Sequence, residues 1–296
     1  MLNGRAGTLL HGDGKGLSDR LRQQLAADHD LLDFQLVEPD AMEAALSRAF
    51  GSEAEVVLVG GGDGTLQHAA RMAMDSGKVL GILPLGTLNI LARDLEIPLD
   101  VERAAGLLRD GAPQRIDVAE VGGELCLLKA MGGRLSATIR LRESQRRHLR
   151  ALAWLRMGWL ALRALLRRRG SRFRLSIDGE PMEIRAAVLI VSLNRFSGRL
   201  DHPFARDRLD GGRLVVYGLS TGASRQHGRD RFMQARASGL LDSFILAEGR
   251  EVVVATRRSH VHLSIDGELR LFKSPVTIRI LPRALTVLMP GAAETA

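Results

Sequence analysis

An apolar run that ends in four glycines, an aspartate and a threonine constrains this chain more than any other feature. The apolar run is Val56–Val59, and the turn after it reads Gly60-Gly61-Gly62-Asp63-Gly64-Thr65. A buried strand that turns through glycines into a helix leaves backbone N–H groups bare and lets a phosphate approach the main chain closely. The pattern therefore predicts a nucleotide-binding turn.

The aspartate in this turn separates it from two common phosphate loops. A P-loop ends in Gly-Lys-Ser/Thr, and a dinucleotide fingerprint needs glycine or alanine where Thr65 stands. A carboxylate beside phosphates is repulsive unless a divalent cation or a hydrogen-bond network lies between them. Asp63 therefore indicates Mg²⁺ and phosphoryl transfer rather than hydride chemistry.

Helical and strand patterns alternate along the first third of the chain. Helices are predicted over Leu17–Ala27, Asp40–Ala49, Thr65–Asp75, from about Leu88, and over Val101–Arg109, and strands over Asp33–Val37, Val56–Val59 and Val79–Leu83. Near-continuous apolar strands alternating with helices indicate a parallel sheet covered on both faces, a three-layer α/β domain. Ligands of such sheets bind at the carboxyl ends of the strands, where the glycine turn lies.

From about Arg115 the pattern changes to short strands punctuated by turn signals such as Asp178-Gly179 and Asp266-Gly267. Strands are predicted over Arg115–Val121, Glu124–Ala130, Phe173–Ile177, Ala186–Leu193, Arg213–Gly218, Glu251–Thr256, His260–Ile265 and Val276–Ile280. This predicts a mostly antiparallel β-sandwich over residues 116–283 with inserted helices, after an α/β domain over residues 1–115. A return of residues 284–296 to the first domain is left open.

The chain is basic, with a formal net charge of +8. Such a charge favours anionic partners, namely nucleic acid, an anionic bilayer or phosphate-bearing substrates. Much of it lies around a predicted helix, Leu149–Leu166, where Arg156, Arg163 and Arg167 form one stripe at helical spacing. Its charge-free runs are far shorter than the roughly 20 residues of a membrane span. It fits an interfacial helix on an anionic membrane, or an amphipathic helix packed on its own domain. A further helix is predicted over Arg229–Ser238.

A single cysteine, Cys126, permits no internal disulfide and fits a reducing compartment. The first residues form a polar, glycine-rich stretch in which no signal peptide is recognised. We therefore expect a cytoplasmic protein that associates peripherally with a membrane.

Several motifs together resemble one family. Gly61-Gly62-Asp63-Gly64-Thr65 matches its GGDGT signature, Pro84-Leu85-Gly86-Thr87-Leu88-Asn89 its PLGTxN loop, and Asp266-Gly267-Glu268 its DGE triplet. Weaker matches follow the same order, including the opening loop at Asn3, so that nearly the whole chain is covered. The chain is thus similar to the diacylglycerol kinase catalytic-domain superfamily, which includes diacylglycerol, sphingosine and bacterial lipid kinases and shares a fold with NAD kinase.

The resemblance implies an ATP-dependent lipid kinase with Mg²⁺, acting on diacylglycerol or a related membrane lipid. It implies that ATP is bound by Asn3, Gly61, Gly62, Asp63, Gly64, Thr65, Gln67, Thr87 and Asn89. A carboxylate of the DGE triplet, Glu268 or Asp266, is implied as the base toward the lipid hydroxyl, which needs a proton acceptor as it attacks the γ-phosphate. Asp63 and Asp117 are implied in the network around Mg²⁺. At a domain boundary, Asp117 also fits the alternative of a structural hydrogen-bond acceptor.

The chain departs from the family pattern at several acidic positions. His68 follows Gln67 where Asn-Glu is frequent, Ile90 replaces an aspartate of the metal network, and Gly211 removes one aspartate of a pair, which weakens a structural metal site at Asp210. These losses keep a second reading open, a non-catalytic regulator that binds nucleotide or lipid. A third interpretation is a kinase of a soluble acceptor such as NAD. The PLGTxN loop argues against it, because NAD kinase lacks this form of the loop. No specific nucleic acid is expected, and a homodimer is left open.

Overall fold

A computed structural model describes residues 1–10, 14–133, 170–198, 205–220 and 245–290. The chain divides into two units, of which the first comprises Met1–Asp117 with the chain from Arg283 onward and the second comprises Val118–Pro282. The two helices predicted over Leu149–Leu166, with Arg156, Arg163 and Arg167, and over Arg229–Ser238 lie outside the described residues. Within the described ranges, no helix is both long enough and apolar enough to cross a membrane.

The first unit alternates short strands and helices. In chain order they are β1 (Leu2–Asn3), α1 (Gly7–Leu10), α2 (Gly14–Asp28), β2 (Leu36–Val37), a 3₁₀ turn (Pro39–Ala41), α3 (Met42–Gly51), β3 (Val56–Gly61), α4 (Asp63–Ser76), β4 (Val79–Pro84), α5 (Ile90–Asp94), α6 (Val101–Leu107) and β5 (Ala112–Val121), which continues into the second unit.

The second unit is built almost entirely of strands. They are β6 (Glu124–Cys126), β7 (Lys129–Gly133), β8 (Ser171–Ile177), β9 (Glu180–Leu193), β10 (Leu214–Ser220), β11 (Ile245–Gly249), β12 (Glu251–Ala255), β13 (His260–Ile265), β14 (Glu268–Lys273) and β15 (Val276–Met289), whose last residues return to the first unit.

A parallel sheet forms the centre of the first unit, in the order β2-β1-β3-β4. The end of β15 adds a further parallel strand, because Val287 pairs with Leu80 of β4. Helix α4 buries Leu66, Ala69, Ala70 and Ala73, which recur at helical spacing, and it packs on β3 and β4. The carboxyl ends of β1, β3 and β4 therefore lie along one edge of the sheet.

Antiparallel pairing dominates the second unit. The strands follow the order β14-β13-β7-β9-β8-β12-β15. The long strand β9 pairs along its first half with β8, and its second half lies between β7 and β10. The predicted class, an α/β unit followed by a mostly antiparallel β unit, is confirmed.

Some predicted elements differ in extent from those observed. Strand β1 was expected as part of a polar loop, and β11 and β14 were not predicted. The strand expected over Glu124–Ala130 is wrong as a single element, because it breaks at Leu127 and Leu128 between β6 and β7. The expected strand Asp33–Val37 is reduced to Leu36–Val37.

Candidate functional site

Two loops of the first unit meet backbone to backbone at the carboxyl edge of its sheet. One contains the glycine turn after β3, and the other follows β4. A Cβ atom on Gly86 would lie 2.5 Å from Cα of Gly62, and one on Gly62 would lie 3.4 Å from Cα of Gly86. A side chain at Gly86 would therefore force the loops apart, which explains the glycine there physically.

Asp63 joins the two loops by hydrogen bonds. Its Oδ1 accepts from the backbone N–H of Ile90 at 2.7 Å and of Leu91 at 3.3 Å, the first two residues of α5. The N-cap residue of that helix, Asn89, makes no side-chain cap itself. Asp63 thus caps α5 from a different loop. Burial raises the pKa of Asp63 above its ordinary value, and the N–H donors of α5 oppose the rise.

The side chain of Asn89 holds its own loop closed. Its Oδ1 accepts from the N–H of Gly86 at 2.8 Å, and its Nδ2 donates to the carbonyls of Gly86 at 2.9 Å and Pro84 at 3.4 Å. The residue is buried and has a left-handed backbone, with φ of 48°. The structure therefore gives Asn89, implied by the resemblance as an ATP contact, a role in shaping the loop.

The chain start contributes a third segment to the same edge. Asn3, the last residue of β1, donates from Nδ2 to Oγ1 of Thr65 at 3.0 Å. At the start of α1, a Cβ on Gly7 would lie 3.4 Å from Oγ1 of Thr87, a residue with an exposed side chain. Asn3 is thus joined to Thr65 at the glycine turn, and Thr87 lies beside the start of α1.

Gln67 and Gly64 lie in the first turns of α4 and are half-buried, whereas His68 beside them is exposed. Among the described residues, no group of three His, Cys, Asp or Glu side chains is arranged to hold a metal ion. Ile90, which replaces an aspartate of the family's metal network, contributes its backbone N–H to the carboxylate of Asp63.

Asp117 contacts the point where the chain returns to the first unit. It is fully buried, and its Oδ1 accepts from the backbone N–H of Arg283 at 2.9 Å. These two residues are where the chain leaves the first unit and where it returns. The hydrogen bond therefore joins the two points at which the chain leaves and re-enters the first unit.

In the second unit, Asp266 is anchored by backbone donors. Its Oδ2 accepts from the N–H of Leu127 at 2.6 Å, and its Oδ1 accepts from the N–H groups of Leu128 at 2.9 Å and Lys129 at 3.0 Å. The thiol of Cys126 lies 3.6 Å from the same Oδ1. This cradle explains the break between β6 and β7, because three successive N–H groups turn toward one carboxylate.

The electrostatics around this cradle follow from burial. Burial raises the pKa of Asp266, and its backbone donors oppose the rise. Burial and the charge of Asp266 raise the pKa of the Cys126 thiol well above its ordinary value, and the nearby charge of Arg206 opposes this. Cys126 is therefore a protonated donor at neutral pH rather than a reactive thiolate.

Glu268 stands on the other side of the same turn. Asp266 and Gly267 have φ of 49° and 101°, as a type I′ hairpin turn requires, and Glu268 begins β14. Its side chain is 47% exposed, and its Oε2 lies 2.9 Å from Nη2 of Arg270. Glu268 thus has an accessible carboxylate, while Asp266 has its oxygens occupied.

An equivalent turn occurs at Asp178 and Gly179, with φ of 50° and 92°. There Oδ1 of Asp178 accepts from the N–H groups of Arg250 and Glu251, both at 2.8 Å. Glu180 follows it as Glu268 follows Asp266. The backbone of Asp178 and Gly179 agrees with the interpretation of this triplet as a plain turn.

Asp210 forms an ion pair with Arg208, whose Nη2 lies 3.3 Å from its Oδ1. A Cβ on Gly211 would lie 2.6 Å from Oδ1 of Asn194, so an aspartate would not fit there without a shift. Among the described residues, Asp210 belongs to no group of three His, Cys, Asp or Glu side chains that could hold a metal ion.

Sequence reasoning missed the backbone cradle at Leu127–Lys129 and the buried Arg206 beside it. No glycine or proline marks the strand break, so local pattern gave no signal for it. The sequence showed Gly86 only as part of the PLGTxN motif. Its contact with Gly62 could not be predicted, because it depends on how two loops that are distant in sequence pack together.

Two family models match the chain in succession. The first, described as diacylglycerol kinase catalytic domain, matches residues 1–121. The second, described as YegS C-terminal NAD kinase beta sandwich-like domain, matches residues 136–289, and this match alone covers more than half of the chain. This chain belongs to the diacylglycerol kinase catalytic-domain superfamily. The resemblance inferred from its motifs is confirmed.

Individual relatives carry lipid kinase names. One from Pseudomonas syringae pv. tomato, named "Probable lipid kinase YegS-like", is 38% identical over 139 residues, 45% of this chain and 45% of the relative. The chain thus matches less than half the length of that curated relative. The diacylglycerol kinase of Bacillus subtilis is 27% identical over 233 residues, 77% of this chain and 76% of that protein.

A solved structure shares the fold along the whole chain. A crystal structure described as a diacylglycerol kinase from Bacillus anthracis matches with a TM-score of 0.67 and 18% identity, covering 99% of this chain and 96% of the other. At that identity the likeness concerns the fold alone.

Proposed function

We propose that this protein is a lipid kinase that transfers the γ-phosphate of ATP, with Mg²⁺, to a hydroxyl of diacylglycerol or a related membrane lipid. The hydroxyl oxygen bonds to the γ-phosphorus, the bond to the β–γ bridging oxygen breaks, ADP leaves and the hydroxyl proton passes to a base. The observation that carries the proposal is the pair of hydrogen bonds from α5 to Asp63, which fixes the family's two signature loops against each other.

The edge formed by these loops suits phosphates. The first N–H groups of α4 have no acceptor within the helix, and the helix dipole favours negative charge at this end. Gly61, Gly62 and Gly64 carry no side chains that would keep a phosphate from the main chain. Asn3 and Thr65 lie next to the same turn, and the hydrogen bond between their side chains holds these two polar groups in place.

The donor set also fits a magnesium ion bound together with ATP. Mg²⁺ commonly takes one or two carboxylates and completes its octahedron with water and substrate phosphates. Both hydrogen bonds from α5 are accepted by Oδ1 of Asp63, and the carboxylate of this residue would hold the cation. When bound, Mg²⁺ would neutralise charge on the transferring phosphoryl group.

Within the DGE triplet, the contacts favour Glu268 as the base. The oxygens of Asp266 already accept from three backbone N–H groups, so protonation would cost those bonds. Glu268 has an exposed carboxylate whose one described partner is the side chain of Arg270. We therefore assign proton acceptance to Glu268 and positioning of the turn to Asp266.

The test is transfer of labelled phosphate from ATP to lipids in uncharged detergent micelles, with diacylglycerol, other hydroxyl lipids and NAD as acceptors. Label should enter the organic phase. Glu268→Gln should lower kcat at least about 100-fold with little change in KM, the contribution typical of a general base. Glu180→Gln, the matched change after the twin turn, should leave the rate unchanged. Equal losses in both variants, or none in Glu268→Gln, would contradict the assignment.

The replacements at His68, Ile90 and Gly211 favour one alternative, a non-catalytic nucleotide- or lipid-binding regulator. It predicts ATP or lipid binding without label in any acceptor. A kinase of a soluble acceptor would instead place the label on NAD in the aqueous phase. The same assay therefore separates the three functions.

A further inference from the structure

Two arginines face each other directly across the hairpin of β8 and β9. Arg172 pairs in register with Arg185, two residues from the pair formed by Arg174 and Glu183. Like charges placed opposite each other on one face of a sheet repel, whereas opposite charges attract. In the Arg174–Glu183 pair the arginine faces an opposite charge, with Nε and Oε1 3.6 Å apart. In the Arg172–Arg185 pair each arginine faces a like charge.

This pair lies on the outer face of the sheet. The alternate residues Phe173, Leu175 and Ile184 are buried, so Arg172 and Arg185 project away from the core. Arg185 is exposed and Arg172 is half-exposed. In the part of the chain that the structure describes, neither guanidinium forms an ion pair or side-chain hydrogen bond with an acidic residue.

Two more arginines lie at the same end of the sheet. Ala255, the last residue of β12, pairs with Arg174, and the chain then turns through Thr256. The hydroxyl of Thr256 closes this turn by donating to the carbonyl of Arg258 at 3.2 Å. Arg257 and Arg258 are exposed, and within the described ranges they too have no acidic partner.

We propose that this arginine surface, formed by Arg172, Arg185, Arg257 and Arg258, docks on the phosphate groups of an anionic lipid bilayer. A guanidinium presents several fixed N–H donors that match phosphate oxygens, so the phosphates supply the counter-charge that the protein omits. The choice of a bilayer rests on the proposed function, because a kinase of membrane lipids must reach its acceptor at that surface.

The chemistry of the surface also separates a bilayer from nucleic acid. Proteins that bind single strands combine basic grooves with aromatic platforms for the bases, and duplex readers insert a helix or ribbon into a groove. The outer positions next to the arginine pair are Arg174, Glu183 and Ser176, without an aromatic ring. A strand surface that offers only guanidinium groups fits a two-dimensional array of lipid phosphates.

The test is cosedimentation of the full chain with vesicles of phosphatidylcholine, with and without phosphatidylglycerol. Arg172→Gln/Arg185→Gln should lower the partition coefficient on the anionic vesicles about thirtyfold, from the contribution expected per basic residue at such a surface. Arg48→Gln/Arg103→Gln removes the same charge from exposed helical positions of the first unit and should bind as the wild type does. Binding should weaken with added salt.

The proposal is overturned if the Arg172/Arg185 variant binds anionic vesicles like the wild type, or loses no more than the Arg48/Arg103 variant. Tighter binding of duplex DNA than of vesicles, with the same dependence on Arg172 and Arg185, would also overturn it in favour of nucleic acid. The micelle assay keeps this outcome apart from the proposed kinase function. The Arg172/Arg185 variant should phosphorylate lipid in uncharged micelles at the wild-type rate, whereas failure of the wild type there would count against the kinase alone.

Discussion

At the scale of single residues, Asp63 combines a structural and a proposed chemical task, which two substitutions separate. Asn keeps an oxygen that can accept from Ile90 and Leu91, so Asp63→Asn should fold with a nearly unchanged urea midpoint but lose phosphoryl transfer. Asp63→Ala removes the cap of α5 as well and should lower the free energy of unfolding by about 1 kcal/mol. Urea unfolding and the micelle assay measure the two effects, and wild-type-like turnover of Asp63→Asn would contradict the magnesium role.

The stability of Asp63→Asn relative to the wild type should change with pH in a defined direction. Because burial raises the pKa of Asp63, the folded state binds its proton more tightly than the unfolded state does. The stability that Asp63 contributes is therefore greatest below its ordinary pKa of 3.8 and falls as pH rises through the raised value. Asp63→Asn lacks this titration, so its stability relative to the wild type should increase over that pH window. A difference that stays constant would contradict the account.

At the scale of elements, the contact between the loops after β3 and β4 depends on Gly86. Gly86→Ala places a Cβ 2.5 Å from Cα of Gly62, and the backbone fixes both positions, so no side-chain rotation relieves the contact. We expect a loss of about 1–3 kcal/mol in the free energy of unfolding, as for overpacked sites, and weaker binding of ATP. Gly51→Ala meets no atom within 4 Å and serves as the control. Equal thermal midpoints of the two variants would refute the contact.

The elements also show what a sequence can predict. Long periodic segments such as α4 and β3 were predicted because their own residues carry the helical or strand pattern. The break between β6 and β7 was not, since its cause is the carboxylate of Asp266, more than a hundred residues away. The same limit applies to the site. The glycine turn and the DGE triplet were visible as local motifs, whereas the capping of α5 by Asp63 and the cradle around Asp266 depend on tertiary packing.

At the scale of the whole molecule, the first unit is discontinuous in sequence. The chain leaves it at Asp117 and re-enters at Arg283, and the hydrogen bond between these residues ties exit and entry together. The returning segment then buries Leu285, Val287 and Leu288 and pairs with β4 through Val287. Residues 1–117 by themselves therefore lack one strand of the sheet, the one that pairs with β4, and part of the core.

This organisation predicts the behaviour of two fragments. Residues 1–117 alone should lose about 2 kcal/mol for each of the three missing apolar side chains, a sum comparable with the whole stability of a small domain, and should not unfold cooperatively. Residues 1–117 joined to 283–290 through a short Gly-Ser linker should recover a cooperative transition, because Arg283 N and Asp117 Oδ1 are only 2.9 Å apart. Circular dichroism during urea titration measures both. Identical cooperative transitions in the two fragments would mean that the returning strand is dispensable for the first unit.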